Sequence, residues 1–270
     1  MKALRIVTIL LFLLSLLLYL GVSFRYNMIL DRVAPKIQCE SEVLDVSVNA
    51  TDAELLAGVT AKDNRDGNLT DQIIVQGVSR LLTADTARIT YVVMDRSDNI
   101  ASCTRTLHYT DYVPPKLILT EIPVYRTYPE DDSLVKLYDT LAAQDIRDGD
   151  LSDQIQISAQ HANDNIEGEI IVTVQVTNSM GDAVAVPLTI VIDNEGAQEP
   201  LVTLKEYITY VSVGSDFHPQ KYIHTLNGSA YTGSEPGLRI DSNVDTAVPG
   251  AYQVCYQYQS FTVYQTVVVR

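Results

Sequence analysis

The chain has 270 residues and a formal net charge of −15 at neutral pH. This acidity, with no long Lys/Arg run, excludes nucleic acid as the main partner. Hydrophobic residues make up 46% and charged residues 20%, which excludes a largely disordered chain, and three Cys are too few for a disulfide-dense scaffold.

The first predicted element is a helix over the uncharged, Leu-rich run 6–24. At 1.5 Å per residue such a helix spans about 28 Å, close to the hydrocarbon core of a bilayer. Lys2 and Arg5 precede it, a modest bias towards a cytoplasmic N-terminus. The reading is an uncleaved signal anchor, residues 1–32 being the cytoplasmic end and the membrane span. The rival is a cleaved signal peptide, for which Gly21-Val22-Ser23 is a weak site. Both place residues 33–270 outside the cytoplasm.

The remainder is organised by an internal repeat. Residues 60–73 (TAKDNRDGNLTDQI) and 142–155 (AAQDIRDGDLSDQI) align without a gap. Ala61, Asp63, Arg65, Asp66, Gly67, Leu69, Asp71, Gln72 and Ile73 recur as Ala143, Asp145, Arg147, Asp148, Gly149, Leu151, Asp153, Gln154 and Ile155. An eroded third copy is expected near Leu226-Asn227-Gly228-Ser229. Pro35, Pro115 and Pro200 each precede an apolar run and mark where the units begin. The expected domains are residues 34–112, 113–194 and 198–270.

Each unit alternates apolar and polar residues, the mark of half-buried antiparallel strands. Ile89, Tyr91 and Val93 share one face, as do Ile170, Val172, Val174 and Val176, and Tyr252, Val254, Tyr256 and Tyr258. Asp-Gly, Asn-Gly and Pro-Gly turns separate the strands. Past residue 32 only Asp52 to Ala57 suits a helical turn. The expected fold is all-β: three tandem small β-sandwiches after an N-terminal transmembrane helix.

The two D-x-x-DG-x-L-[ST]-DQI segments resemble bacterial Ig-like domains of the type named after the Ig-like domain of an insecticidal crystal protein. Pro35, Ala61, Asp63, Asp66, Gly67, Leu69, Thr70, Tyr91, Asp95 and Asn99 carry the resemblance in the first unit. Pro115, Ala143, Asp145, Asp148, Gly149, Leu151 and Ser152 carry it in the second, where Thr177-Asn178-Ser179-Met180-Gly181 replaces the later Asp turn. In the third, Pro249-Gly250-Ala251-Tyr252 and the strand after it carry it. The resemblance implies that the units are three tandem Ig-like β-sandwich domains on a bacterial surface protein, as spacer or binding module, and no activity.

Candidate chemistry is sparse. Asp63, Asp66 and Asp71, and likewise Asp145, Asp148 and Asp153, could gather carboxylates around Ca²⁺. The metal-free alternative is a tight turn in which these side chains accept local backbone N–H groups. No cofactor is expected beyond that Ca²⁺ alternative. Cys39 and Cys103 fall on the first and last strands of the first unit and could form a disulfide, unlike the inter-sheet bridge of antibody domains; two buried thiols are the alternative. Cys255 falls on the polar face of its strand and reads as an accessible odd thiol. Ser133-Leu134-Val135-Lys136 and Ser97-Asp98-Asn99 match fragments of penicillin-recognising enzymes, but in the wrong order and with no K-T-G.

Tyr outnumbers Phe by sixteen to four. Tyr207, Tyr210, Tyr222, Tyr231, Tyr252, Tyr256, Tyr258 and Tyr264 lie in the third unit, and either fill strands or form a binding surface. The expectation is a non-enzymatic rod on a bacterial surface, anchored through residues 6–24, with a free far end. It would bind an extracellular protein or glycan. The alternatives are an inert spacer or envelope scaffold assembling with membrane proteins, and an accessory module of a cell-envelope enzyme.

Overall fold

The computed structural model describes residues 2–29, 31–125, 137–159, 169–192, 200–233 and 235–270. The chain forms two compact units, Met1–Asp111 and Tyr112–Arg270.

The first unit opens with helix α1, Lys2–Ile29. Its stretch Arg5–Arg25 is long and apolar enough to cross a membrane, and none of that stretch is buried against protein. Leu17, Phe12 and Phe24 stand exposed.

Beyond the helix come seven strands: β1 Lys36–Cys39, β2 Val43–Val46, β3 Val59–Asp63, β4 Gly67–Asn68, β5 Ile74–Val78, β6 Thr86–Met94 and β7 Ile100–Tyr109. They make a three-stranded sheet, β1-β3-β4, and a four-stranded sheet, β2-β7-β6-β5, in which β2 runs parallel to β7. Along β6 the residues Ala87, Ile89, Tyr91 and Val93 are buried and their neighbours are not. That alternation fixes the face turned to the core. Between β2 and β3, Asp52–Leu55 makes a single helical turn, α2. Thr51 caps it and Glu54 reaches back to the Thr51 N–H, so a turn too short to persist alone is held at its entry.

The second unit repeats this plan twice. The second repeat contributes β8 Lys116–Leu119, β9 Val124–Tyr125, β10 Leu141–Asp145, β11 Gly149–Asp150, β12 Gln156–Ala159, β13 Glu169–Thr177 and β14 Ala183–Ile192. The third contributes β15 Val202–Leu204, β16 Ile208–Val211, β17 Ile223–Leu226, β18 Ser229–Ala230, β19 Leu238–Ser242, β20 Gly250–Tyr258 and β21 Phe261–Val269. The sheet orders are β8-β10-β11 with β9-β14-β13-β12, and β15-β17-β18 with β16-β21-β20-β19. The second strand again runs parallel to the last in each. The all-β expectation holds, and the third repeat keeps the topology of the other two despite its eroded sequence.

The cores of the second and third repeats are continuous. One cluster of buried residues runs from Leu117 and Leu119, through Val174 and Leu188, to Val202, Tyr207, Val254 and Val267. The backbone joins them as well: Tyr207 N–H donates to the Leu119 carbonyl at 2.8 Å. The sheets divide near residue 200, but the hydrophobic core does not.

Candidate functional site

The repeated acidic segment folds alike in both copies. Asp63 closes β3, and its Oδ1 accepts the N–H groups of Arg65 (2.7 Å) and Asp66 (2.9 Å). Asp145 does the same at the end of β10 with Arg147 (2.8 Å) and Asp148 (2.9 Å). Gly67 and Gly149 then turn the chain at φ +76° and +75°, a region costly for residues with a Cβ. Leu69 and Leu151 drop into the core at 2% and 3% exposure. Thr70 and Ser152 come next, and their hydroxyls accept the N–H groups of Ala61 (3.2 Å) and Ala143 (3.1 Å). The motif is thus largely a turn that meets its own backbone demands.

Asp66 and Asp148 tie this turn to the hairpin joining the last two strands of their repeat. Asp66 Oδ2 accepts Arg96 N–H at 2.9 Å. Asp148 accepts the N–H and hydroxyl of Ser179 at 2.6 and 2.7 Å. Asp71 and Asp153 sit exposed on 3₁₀ turns, outside any gathering of carboxylates among the described residues. The expected triads do not assemble, because Asp66 and Asp148 are engaged with the hairpin and Asp71 and Asp153 face solvent.

A different set converges in the first repeat. One carboxylate oxygen each from Asp31, Asp63 and Asp95 lies within 4.8 Å of the other two. Asp31 comes from the segment joining α1 to β1, Asp63 from the end of β3, and Asp95 from the β6–β7 hairpin. Asp31 and Asp95 are 5% and 3% exposed. Asp31 Oδ1 accepts Val33 N–H at 3.0 Å. Asp95 Oδ1 accepts the N–H groups of Ser97 and Asn99, both at 2.8 Å, and its Oδ2 accepts the Asn99 amide at 2.7 Å. Asn99 also donates to the Asp31 carbonyl at 3.2 Å. Asp31 Oδ2 and Asp63 Oδ2 are buried and accept no hydrogen bond; Arg65 Nε approaches the former at 3.5 Å. Backbone N–H groups, that of Asp66 foremost, hold the Asp63 carboxyl below its ordinary pKa. Burial works against ionisation of Asp95, but its hydrogen bonds from Asn99 and Ser97 outweigh this and lower its pKa too.

The second repeat closes the same place with neutral donors. Asn178, which stands just after β13 as Asp95 stands just after β6, donates its amide to Asp145 Oδ2 at 3.0 Å. The same amide donates to the Tyr112 hydroxyl at 3.0 Å, and that hydroxyl donates to Asp182 Oδ2 at 2.7 Å. Asp95 and Asn99 have become Asn178 and Asp182. In the third repeat the turn is Asn227-Gly228, at φ +47° and +73°, with no acidic residue.

Cys39 and Cys103 meet, as free thiols, with sulfurs 2.8 Å apart. Their strands belong to different sheets, so a bond between them would join sheet to sheet through β1 and β7. Burial, with the Cys39 contact, pushes the Cys103 thiol up to about 12. Cys255 is a free, half-buried thiol beside Tyr264, and burial raises its pKa. Ser133-Leu134-Val135-Lys136 lies outside the described residues.

None of the third-repeat Tyr residues is exposed. Tyr256 OH donates to Gln265 at 2.7 Å, and Tyr207 OH accepts Leu204 N–H at 3.1 Å. Tyr210 OH accepts Leu117 N–H, and Tyr264 OH donates to Glu169, so these two connect the second and third repeats. Tyr207, Tyr256 and Tyr258 are buried, whereas Tyr210, Tyr222, Tyr231, Tyr252 and Tyr264 are part-buried. Two shallow depressions lie beside β12 and β5, and each is lined by one charged side chain, Asp153 in one and Arg88 in the other.

No protein-family model matches the chain, and no curated protein sequence matches it. Among solved structures it is similar to a carbohydrate-binding module with GlcNAc and the INT domains of Clostridium perfringens ZmpB, at 17% identity and TM-score 0.24 over 56% of this chain and 26% of that one. It is similar to a lipoprotein of Bacteroides thetaiotaomicron at 12% identity and TM-score 0.21, over 86% of this chain and 98% of that one. An S-layer protein, SbsC, matches at 12% identity and TM-score 0.20, over 89% and 41%. The chain spans only 26% and 31% of the two Clostridium perfringens structures it matches.

Proposed function

We propose that this chain is a non-enzymatic scaffold of a bacterial cell surface, held in the membrane by residues 6–24 with its sandwiches outside. One observation carries the reading: an apolar helix that is not buried against protein leads into β-sandwiches whose Tyr207, Tyr256 and Tyr258 are packed inside the core. The continuous core of the second and third repeats supports a stiff spacer or scaffold over a ligand-gripping surface. The resemblance to bacterial Ig-like repeats agrees with this.

The test uses the full chain with a tag at each end, expressed in bacteria. The expected outcome is carbonate-resistant membrane association, loss of the C-terminal tag to external protease, and retention of the N-terminal tag. Release after cleavage near Ser23 would overturn the anchor. Saturable pelleting of the chain with purified envelope polymer would replace the scaffold with an adhesion module.

A further inference from the structure

We infer that Asp31, Asp63 and Asp95 form a Ca²⁺ site that fastens the segment leaving α1 to the β3–β4 turn and the β6–β7 hairpin. The donors are all carboxylate oxygens, the set that hard cations take and soft metals do not. Their mutual separation, within 4.8 Å, is that of ligands about 2.4 Å from one central Ca²⁺. Three carboxylates from separate segments suit Ca²⁺ over Mg²⁺, which keeps most of its waters and uses one or two carboxylates.

Two further observations point to a ligand. Asp31 is 5% exposed, and its Oδ2, like Asp63 Oδ2, is buried without a hydrogen-bond donor. Buried acceptors are normally satisfied, and an ion is one of the few things that can satisfy a carboxylate enclosed by other carboxylates. Arg65, 3.5 Å from Asp31, offsets one of the three negative charges and leaves an excess that matches one divalent cation.

The second repeat is the internal comparison. There an Asn amide and a Tyr hydroxyl occupy the place, and Asp145 Oδ2 receives its donor from Asn178. The same fold thus carries a version closed by neutral donors and a version whose carboxylates are left facing one another. The cation takes the part that the Asn178 amide plays in the second repeat. This inference is independent of what the sandwiches bind.

The test is calorimetric and thermal, on the full chain in detergent micelles, stripped with EDTA and desalted. Titration with CaCl₂ is expected to show one site per chain, and millimolar Ca²⁺ to raise the melting of the first unit by roughly 5 °C or more. Asp95→Asn, which imports the second repeat's residue, and Asp31→Asn are each expected to weaken binding by about tenfold or more. Asp31 precedes β1, so Asp31→Asn leaves the sheet hydrogen bonds intact and keeps the test valid if Asp95→Asn does not fold. Asp71→Asn is expected to bind like the parent. No Ca²⁺ heat and no thermal shift in the parent would overturn the site, as would a shift that survives in both Asp31→Asn and Asp95→Asn. Stabilisation by acid alone, without a response to Ca²⁺, would mean that the carboxylates share a proton, and would also overturn it.

Discussion

The Arg270 guanidinium lies over the ring of Tyr210, 4.3 Å from its centroid. Arg270 donates to the Pro115 carbonyl at 3.3 Å, and the Tyr210 hydroxyl accepts Leu117 N–H at 2.8 Å. Two residues of the third repeat thereby hold the first strand of the second. Thr266 adds a bond to the Pro187 carbonyl at 2.8 Å, and Gln253 reaches Thr189. Polar groups at this junction meet partners from the other repeat, as they would inside one domain.

Tyr210→Phe should cost the second unit about 1–3 kcal/mol, since it leaves the Leu117 N–H without its acceptor. Arg270→Ala should cost about 1–2 kcal/mol through the lost cation–π contact and its carbonyl bonds. Urea denaturation monitored by tyrosine fluorescence measures both.

Scanning calorimetry of the full chain should resolve two cooperative transitions, one per compact unit. Leu119→Ala removes a fully buried side chain of the second repeat and should cost about 2–5 kcal/mol. It is expected to lower the transition shared with the third repeat and leave that of the first unit unmoved. Separate melting of the third repeat would contradict the common core.

Cys39 and Cys103 should form a disulfide in an oxidising compartment, seen as faster migration on a non-reducing gel. The closed loop would stabilise the first sandwich by about 4 kcal/mol on the chain-entropy account. Because the Cys103 thiol is pushed up to about 12, uncatalysed oxidation at neutral pH should be slow and should quicken as pH rises.

His108 sits between Asp45, with Nδ1 at 2.8 Å, and Asp85, with Nε2 at 3.5 Å. The hydrogen bond to Asp45, with the nearby charge of Asp85, raises its pKa. A raised folded-state pKa contributes stability that is complete below the unfolded value, near 6.5, and is lost as pH rises through the folded value. His108→Gln should therefore lower the first unit's melting temperature at pH 5.5 and have little effect at pH 9.

Gly149→Ala should cost about 1 kcal/mol through backbone conformation alone. At φ +75° an added Cβ meets no atom within 4 Å, so no packing clash accompanies the strain. Chemical denaturation of the purified variant measures the loss.

Much of the sandwich is legible along the chain because strand burial has a period of two. Ile89, Tyr91 and Val93 share the core face as their alternation requires, and Val172, Val174 and Val176 do the same. The acidic turn is legible for a similar reason: Asp63, Gly67, Leu69 and Thr70 act on backbone groups only a few residues away, apart from the Thr70 bond across to Ala61. The carboxylate cluster is not legible locally. Asp31 and Asp95 each stand 32 residues from Asp63, a separation far beyond any local turn or strand period. The available signal was the exchange of Asp95 and Asn99 for Asn178 and Asp182 between aligned repeats. The third repeat's Tyr residues left two readings open, because composition cannot tell a ring that packs from one that binds.

The order of residues alone determined the apolar helix, the alternating strands, the glycine turns and the tandem organisation, since each depends on neighbours within a few positions. Folding in three dimensions decided which carboxylates meet, that Cys39 faces Cys103 across two sheets, and that the second and third repeats share one core. Those relationships join side chains separated by tens of residues, and they exist only once the sheets have packed and excluded water from between them.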